Sequence, residues 1–359
     1  MKQKRMLPIL YALVAAALFG ASAPFAKRLL GEVNPIILAG LLYLGSGLGL
    51  AVFKLLSRPF SKSAQREARL HREDLLYLFG AITAGGIAAP ILLLFSLRVT
   101  SATTASLLLN FEAAATSLLA VLVFKEALAK RGWVAVFLIT LAGILLSVNF
   151  GGQWVISIGA LGILGACALW GLDNNLTGRI STRDPLTIVT LKGLIAGSFS
   201  LALGLLTGGR LPSIYFIGWA LLLGLFSYGA SITLFIYSMR SMGSARTSAL
   251  FATSPLAGIL FSLLLFKEIP GVFFWAALGL MVLGSVLITL EKHAHAHVHA
   301  AVVHEHSHTH TDAHHNHTHS PEVDPSVRHS HVHQHERLEH DHAHFPDLQH
   351  RHSHESHSS

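Results

Sequence analysis

Long apolar runs separated by short polar stretches set the plan of this chain. Runs near the length that crosses a bilayer as a helix, about 20 residues, lie at about 7–26, 35–55, 75–97, 101–124 and 132–149. Five more lie at about 154–175, 185–207, 214–238, 243–265 and 271–290. They predict an all-α membrane protein with ten transmembrane helices, five in each half. Small residues recur inside the runs, as from Gly45 to Gly49, at Gly193 and Gly197, and at Gly159, Gly162 and Gly165, where helix backbones can approach closely. Pro24, Pro90 and Pro255 fall in or near helix interiors and are expected to kink or interrupt them.

The pattern is duplicated. Ser96–Trp133 and Ser238–Trp275 share their spacing of small, apolar and charged residues at a constant offset: Arg98 with Arg240, Ser106 with Ser248, Leu118 with Leu260, Trp133 with Trp275. Phe124-Lys125-Glu126 returns as Phe266-Lys267-Glu268, each closing an apolar run. The chain divides into a first five-helix repeat (1–150), a second (151–290) and a tail (291–359). Lys and Arg next to spans mark cytoplasmic loops. With a cytoplasmic N-terminus, 17 of these cations through Lys292 fall inside and 5 outside, so both termini are expected in the cytoplasm. An odd number of spans per half then inverts the second repeat relative to the first, a plan in which secondary transporters bind their cargo between repeats. The start, Lys2-Gln3-Lys4-Arg5 followed by an apolar run to Ala23, has the form of a signal peptide. A retained first span is the better reading, because Pro24 would directly follow the cut and another apolar run begins at Pro35.

An aromatic-Gly step in the first span of each half (Phe19-Gly20 and Trp170-Gly171) and the repeated run ending in Phe-Lys-Glu before a Trp-containing span resemble the EamA branch of the drug/metabolite transporter superfamily. The resemblance covers about residues 7–290. Its pattern of Glu-Pro midway along the fourth and ninth spans is divided here between Glu112-Ala113 and Ser254-Pro255, leaving one mid-span carboxylate. The resemblance implies a secondary carrier, usually an exporter of small solutes, and leaves the cargo open.

Composition agrees with the membrane reading: 52% hydrophobic, 13% charged, mean hydropathy +0.54. The lone Cys167 builds neither a disulfide framework nor a cysteine zinc site. Charge separates near residue 290, with 22 Lys and Arg against 9 Asp and Glu before it and 4 against 10 after. The basic excess belongs to membrane orientation, so no nucleic-acid partner is expected; the partners are the bilayer and a small solute or metal ion, with a homodimer left open. No His-Glu-x-x-His run, phosphate-binding Gly loop or catalytic Ser, His and Asp set occurs in the spans, which argues against an enzyme and against ATP-driven transport.

Intramembrane polar groups are the candidate substrate or coupling-ion path. Glu112 lies mid-span, where a charge costs about 2.5–3.5 kcal/mol on insertion scales; it either binds a proton or cation during exchange or locks two helices together. Asn110 precedes it by two residues and points about 200° away on an ideal helix. Asp173 and Asn174 follow Trp170 near the cytoplasmic end of the sixth span and either line a vestibule or cap a helix. Lys192, in the seventh span, pairs with Asp173 or Glu112 or snorkels to the interface. Trp133 and Trp275 read as interfacial anchors.

The tail holds 23 of the 24 histidines, mostly alternating: His293, His295, His297, His299; His304, His306, His308, His310; His314, His315, His317, His319; His329, His331, His333, His335. Without apolar periodicity, and with Pro321 and Pro325 in its middle, it is expected to be disordered. Neutral imidazole favours Zn, Ni and Cu, so the tail is expected to bind divalent metal, Ni, Co or Zn, although transport requires no cofactor. Two cargoes follow for a secondary-active exporter of the inner (plasma) membrane. The spans hold no histidine and few carboxylates, which favours an organic metabolite, amino acid or drug with the tail as a metal buffer or sensor. The 23 cytoplasmic histidines favour efflux of Ni, Co or Zn collected by the tail, and that reading is preferred from sequence.

Overall fold

The computed structural model describes residues 2–57, 68–123, 130–149, 155–242, 244–251, 253–267, 271–289, 293–299, 302–308, 329–335 and 338–344. Phe124-Lys125-Glu126, Glu268 and five of the predicted tail ligands (His310, His314, His315, His317, His319) lie outside these residues. Six helical stretches are long and apolar enough to cross a membrane: Met6–Leu29, Pro35–Leu56, Asp74–Arg98, Ala102–Leu122, Pro185–Leu206 and Ile214–Met242. Ser254–Phe266 and Val272–Gly284 are apolar but shorter. With the helices Lys130–Ser147 and Ile158–Arg179, the described residues supply ten helical segments at the ten predicted positions. Large apolar side chains such as Leu56, Leu76, Phe79, Phe137, Leu206 and Val272 stand exposed, a surface that suits lipid rather than water.

Equivalent spans of the two halves meet antiparallel. The second and seventh spans cross with almost no side chain between them: a Cβ on Gly47 would sit 2.5 Å from the Leu194 amide nitrogen, and one on Gly197 2.5 Å from that of Leu44. In the fourth and ninth spans, Ala102–Leu108 packs on Ser254–Phe266 while Phe111–Leu122 packs on Ser244–Phe251. The fifth and tenth spans pair likewise, Ile139 lying on Gly284. The third span packs on the sixth, and the first on the eighth. These are equivalent contacts in an inverted repeat, so the predicted architecture of two inverted five-helix repeats is the one observed.

Several spans depart from continuous α-helix, and they do so in symmetric positions. The fourth span breaks at Leu109-Asn110, between Ala102–Leu108 and Phe111–Leu122; the ninth restarts at Ser254, with Pro255 in its first turn. The third and eighth spans each contain one π-helical stretch, Ile82–Ala88 and Leu225–Ala230, the latter followed by Ser231 donating to the Ala15 carbonyl at 2.8 Å. Pro90 opens the helix that follows the first π stretch, and the first span turns at Ala21, three residues before Pro24. Proline accounts for three of these departures because its ring removes a donor and crowds the preceding turn.

At one end of the bundle the segments after the second, sixth and eighth spans are tied together. Arg183 Nε reaches Asp74 at 2.9 Å, Lys54 reaches Asp184 at 2.6 Å, and Arg240 donates to the carbonyls of Ser181 (3.0 Å) and Arg183 (2.8 Å). At the other end Lys27 donates to the Thr100 carbonyl.

Two short strands, β1 (Val148–Asn149) and β2 (Val155–Ile156), pair where the halves join. In the tail the described residues lie in β3 (His293–His299), β4 (Val302–His308), β5 (His329–His335) and β6 (Leu338–His344), with β3 antiparallel to β6 and β4 to β5. The His-x-His-x alternation is itself a period of two, which a strand satisfies and a helix does not.

Candidate functional site

A cavity opens between the halves beside the break in the fourth span. It is lined by Phe19 of the first span, Glu112 of the fourth, Trp170, Asp173, Asn174 and Thr177 of the sixth, Lys192 of the seventh, Tyr228, Ile232, Phe235 and Ile236 of the eighth, and Phe251 of the ninth. The space open to the centres of water-sized molecules is ≈ 30 Å³, enough for about two waters. An organic solute needs a wider conformation than this one.

The break sets the position of Glu112. Because the helix restarts at Phe111, Glu112 falls in the first turn of the second segment, where the helix dipole favours negative charge. Sequence places Glu112 in mid-span; the structure makes it a helix start in mid-membrane, a device by which broken helices hold charged cargo. The Asn174 amide donates to Glu112 Oε1 at 2.8 Å and to Thr116 Oγ1 at 3.2 Å. Asn175 secures the same corner, its amide donating to the carbonyls of Thr116 (3.0 Å) and Gly171 (2.8 Å).

The aromatic-Gly steps now have a physical reason. Gly20 lies against the backbone of Ser254, and a Cβ on Gly171 would meet the backbone of Ala115 and Thr116 at 2.9 Å. Each glycine thus lets the first span of its own half touch the broken span of the other half, while the preceding aromatic residue faces the cavity. Phe19 has ring contacts with Trp170 (5.6 Å), Tyr228 (5.8 Å) and Phe251 (5.1 Å), and Phe235 meets Phe251 edge to face at 4.9 Å.

The opposite wall is charged. Lys192 donates to Asp173 Oδ2, and Thr177 donates to Oδ1 at 3.0 Å. The side chains of Lys192 and Asp173 are only 3% and 6% exposed, which rules out snorkelling and makes this a buried pair. With both carboxylates ionised and Lys192 protonated, Glu112 leaves the cavity one negative charge in excess. The first π stretch supports this wall: Gly85 lies against the Asp173 carboxylate, and its carbonyl accepts from Tyr43 Oη at 2.5 Å and Trp170 Nε1 at 3.0 Å. Such π insertions commonly sit at functional sites.

Five of the six path residues expected from sequence, Glu112, Asp173, Asn174, Lys192 and Trp170, therefore line one cavity. Asn110 does not; it is buried at the break, and its Oδ1 has no hydrogen-bond partner. Sequence reasoning missed Thr177, Tyr228, Phe235 and Phe251. A signal existed for Thr177, which follows Asp173 at the i,i+4 spacing; the aromatic residues resembled ordinary apolar span positions. Trp133 and Trp275 stand exposed, away from the cavity. Among the described residues no group of three or more His, Cys, Asp or Glu is placed to hold a metal ion.

The EamA-like transporter family matches this sequence twice, over residues 6–148 and 157–290. The chain belongs to the EamA-like transporter family. An uncharacterized transporter from Methanothermobacter thermautotrophicus is 28% identical over 291 residues, 77% of this chain and 84% of that one. A protein crystal structure superimposes with a TM-score of 0.61 at 17% identity, covering 79% of this chain and 96% of the other, which is a likeness of fold. As an EamA-like transporter the protein is a multi-pass membrane carrier and not an enzyme, and the cavity lies where inverted-repeat carriers bind their cargo.

Proposed function

We propose that this EamA-like transporter is a secondary-active exporter of a small organic solute bearing a cationic nitrogen, such as an amine or amino acid, with Glu112 exchanging a proton for it. The observation that carries the proposal is the composition of the cavity: one carboxylate in excess, facing walls of Phe19, Trp170, Tyr228, Phe235 and Phe251. Aromatic faces attract ammonium groups, whereas a hard or borderline metal ion gains little from them. In this cycle Glu112 gives up its proton as the ammonium group arrives, and takes one back when the cargo leaves. The halves 1–150 and 151–290 would rock about the cavity, in the inner membrane, with both termini in the cytoplasm as the distribution of Lys and Arg supports.

The test is proton release from purified protein in detergent on addition of amines and amino acids, with counterflow in proteoliposomes as the transport readout. Native protein should release close to one proton per bound cargo, and Glu112→Gln should release none while remaining folded. If no amine or amino acid produces release or counterflow, the organic reading fails.

The tail supports a second reading, efflux of Ni, Co or Zn collected on the cytoplasmic side by its 23 histidines. Cells expressing the full chain should then accumulate less of these metals than cells without it, and a chain ending at Leu290 should lose the advantage at low metal. Equal accumulation in all three would remove metal as cargo and leave the tail as a buffer or sensor.

A further inference from the structure

Where the first, fourth and ninth spans meet, four neutral oxygens lack their ordinary hydrogen-bond donors among the described residues. Pro24 has no N–H, so the carbonyl of Gly20, four residues earlier, loses its helical donor. At the break in the fourth span the Asn110 N–H turns to the Leu107 carbonyl at 3.1 Å, three residues back instead of four, and leaves the Ser106 carbonyl without its own. Ser106 Oγ and Asn110 Oδ1 have no hydrogen-bond partner either, although the two residues are only 2% and 3% exposed. Buried polar atoms in that condition are uncommon. The groups are also close together. A Cβ on Gly258 would meet Ser106 Oγ at 2.6 Å and the Gly20 carbonyl oxygen at 2.8 Å, so both oxygens flank one point on the ninth span. Leu109 and Asn110 keep right-handed helical backbone angles, which sets Asn110 about one turn beyond Ser106, in the direction that the Ser106 carbonyl points. The other half does not repeat the set. Ser248, the equivalent of Ser106, is likewise buried without a partner, but Ala252 stands in the place of Asn110. Asn175 stands in the place of Pro24, and its amide donates to the Gly171 carbonyl at 2.8 Å.

We infer that the break in the fourth span binds one monovalent cation, Na+, through the carbonyl of Gly20, the carbonyl and hydroxyl of Ser106, and the side-chain oxygen of Asn110. Hard cations take oxygen ligands, and the C-terminal end of the half-helix Ala102–Leu108 carries negative partial charge. In inverted-repeat carriers, unwound carbonyls and half-helix C-termini are the groups that hold Na+. The four oxygens bear no formal charge, which suits a monovalent ion better than a divalent one. None of the three residues lines the cavity, so the ion sits behind the break and outside the path of the cargo. Bound there, it ties the first span to the start of the segment that carries Glu112. The inference goes beyond the exchange of a proton for cargo at Glu112 and does not depend on it.

The experiment is binding of radioactive Na+ to the full chain in detergent, joined to thermal unfolding in NaCl and in choline chloride of equal ionic strength. The native protein should bind close to one Na+ per chain. Sodium at about ten times its Kd should raise its Tm by roughly 2–4 °C over choline. Ser106→Ala removes a hydroxyl without a partner, so it should melt with the native protein in choline and lose the rise in sodium. Ser106→Ala and Asn110→Ala should each bind Na+ about tenfold more weakly or worse, since even groups that only support a metal ligand are worth about 10–100-fold. Ser262→Ala is the control: its hydroxyl already donates to the Gly258 carbonyl at 2.7 Å, and Na+ affinity should stay native. A native protein with neither saturable Na+ binding nor a sodium-specific rise in Tm would overturn the inference and leave the four oxygens to water. Binding kept in both oxygen-removing variants but lost in Glu112→Gln would put the ion at the cavity carboxylate and overturn it too. Proton release on addition of amines, measured in sodium-free medium, reads the exchange at Glu112 separately.

Discussion

Removing the Lys192 ammonium while leaving Asp173 in place is the most direct test of the charged wall. In Lys192→Met the Asp173 carboxylate loses its ion-pair partner and keeps only the Thr177 hydroxyl, at 3.0 Å. Both members of the pair are nearly inaccessible to water, so solvent screening does not reduce the penalty as it does for surface pairs. Breaking a buried pair by removing one partner costs about 3–5 kcal/mol, whereas replacing the whole pair with neutral groups is near neutral or better. The retained Thr177 hydrogen bond offsets about 1 kcal/mol. Lys192→Met should therefore melt roughly 6–12 °C below the native protein if the soluble-domain relation between stability and Tm holds, and Lys192→Met with Asp173→Asn should recover most of that loss. The assay is a double-mutant cycle of thermal unfolding in one detergent, followed by intrinsic fluorescence. A single variant that melts with the native protein, or a double variant no better than the single, would refute the coupling and with it the count of one excess negative charge in the cavity.

Three further outcomes follow from the geometry. Gly197→Val puts side-chain atoms onto the backbone of the second span and should cost about 1–3 kcal/mol as overpacking; unchanged melting would mean that the halves do not meet along that seam. Gly85→Ala pushes on the Asp173 carboxylate, so transport should fall in protein that still elutes as a folded species, and unaltered transport kinetics would detach the π stretch from the site. Burial alone would raise the Asp184 carboxyl, but hydrogen bonds from Lys54 and Thr187, the Lys54 charge and the Leu186 N–H outweigh it and hold Asp184 below the ordinary carboxylate range. A depressed carboxyl stabilises the folded state above its unfolded value, about 3.9, and that contribution disappears as pH falls through the lower folded value. Melting of Asp184→Asn should accordingly depend less on pH below about 4 than that of the native protein, and parallel acid profiles would count against the assignment.

The number of spans, the duplication and the glycine seam were legible because each leaves a one-dimensional trace: an apolar run of bilayer length, a constant offset, and small residues at helical spacing. Glu112 was legible for a similar reason, as a carboxylate in an apolar run. Its surroundings were not. The roughly 200° between Asn110 and Glu112 on an ideal helix already separated them, but that Glu112 stands in the first turn of a new helical segment beside the cavity follows from the break at Leu109-Asn110. Lys192 had two carboxylates within its possible reach in sequence terms, and the packing of the seventh span on the second brought it to Asp173. In the tail the alternation of histidine was plain, but its meaning as paired strands depends on segments some forty residues apart finding one register.

Sequence alone determined that this chain is a duplicated helical membrane protein, since insertion into a bilayer is governed by the length and apolarity of each segment taken by itself. Tertiary structure decided where the fourth and ninth helices break, which charges pair, and which aromatic rings surround the cavity. Those choices belong to contacts between spans of opposite halves, where a backbone hydrogen bond is given up in one helix only because a side chain or helix end from another takes its place.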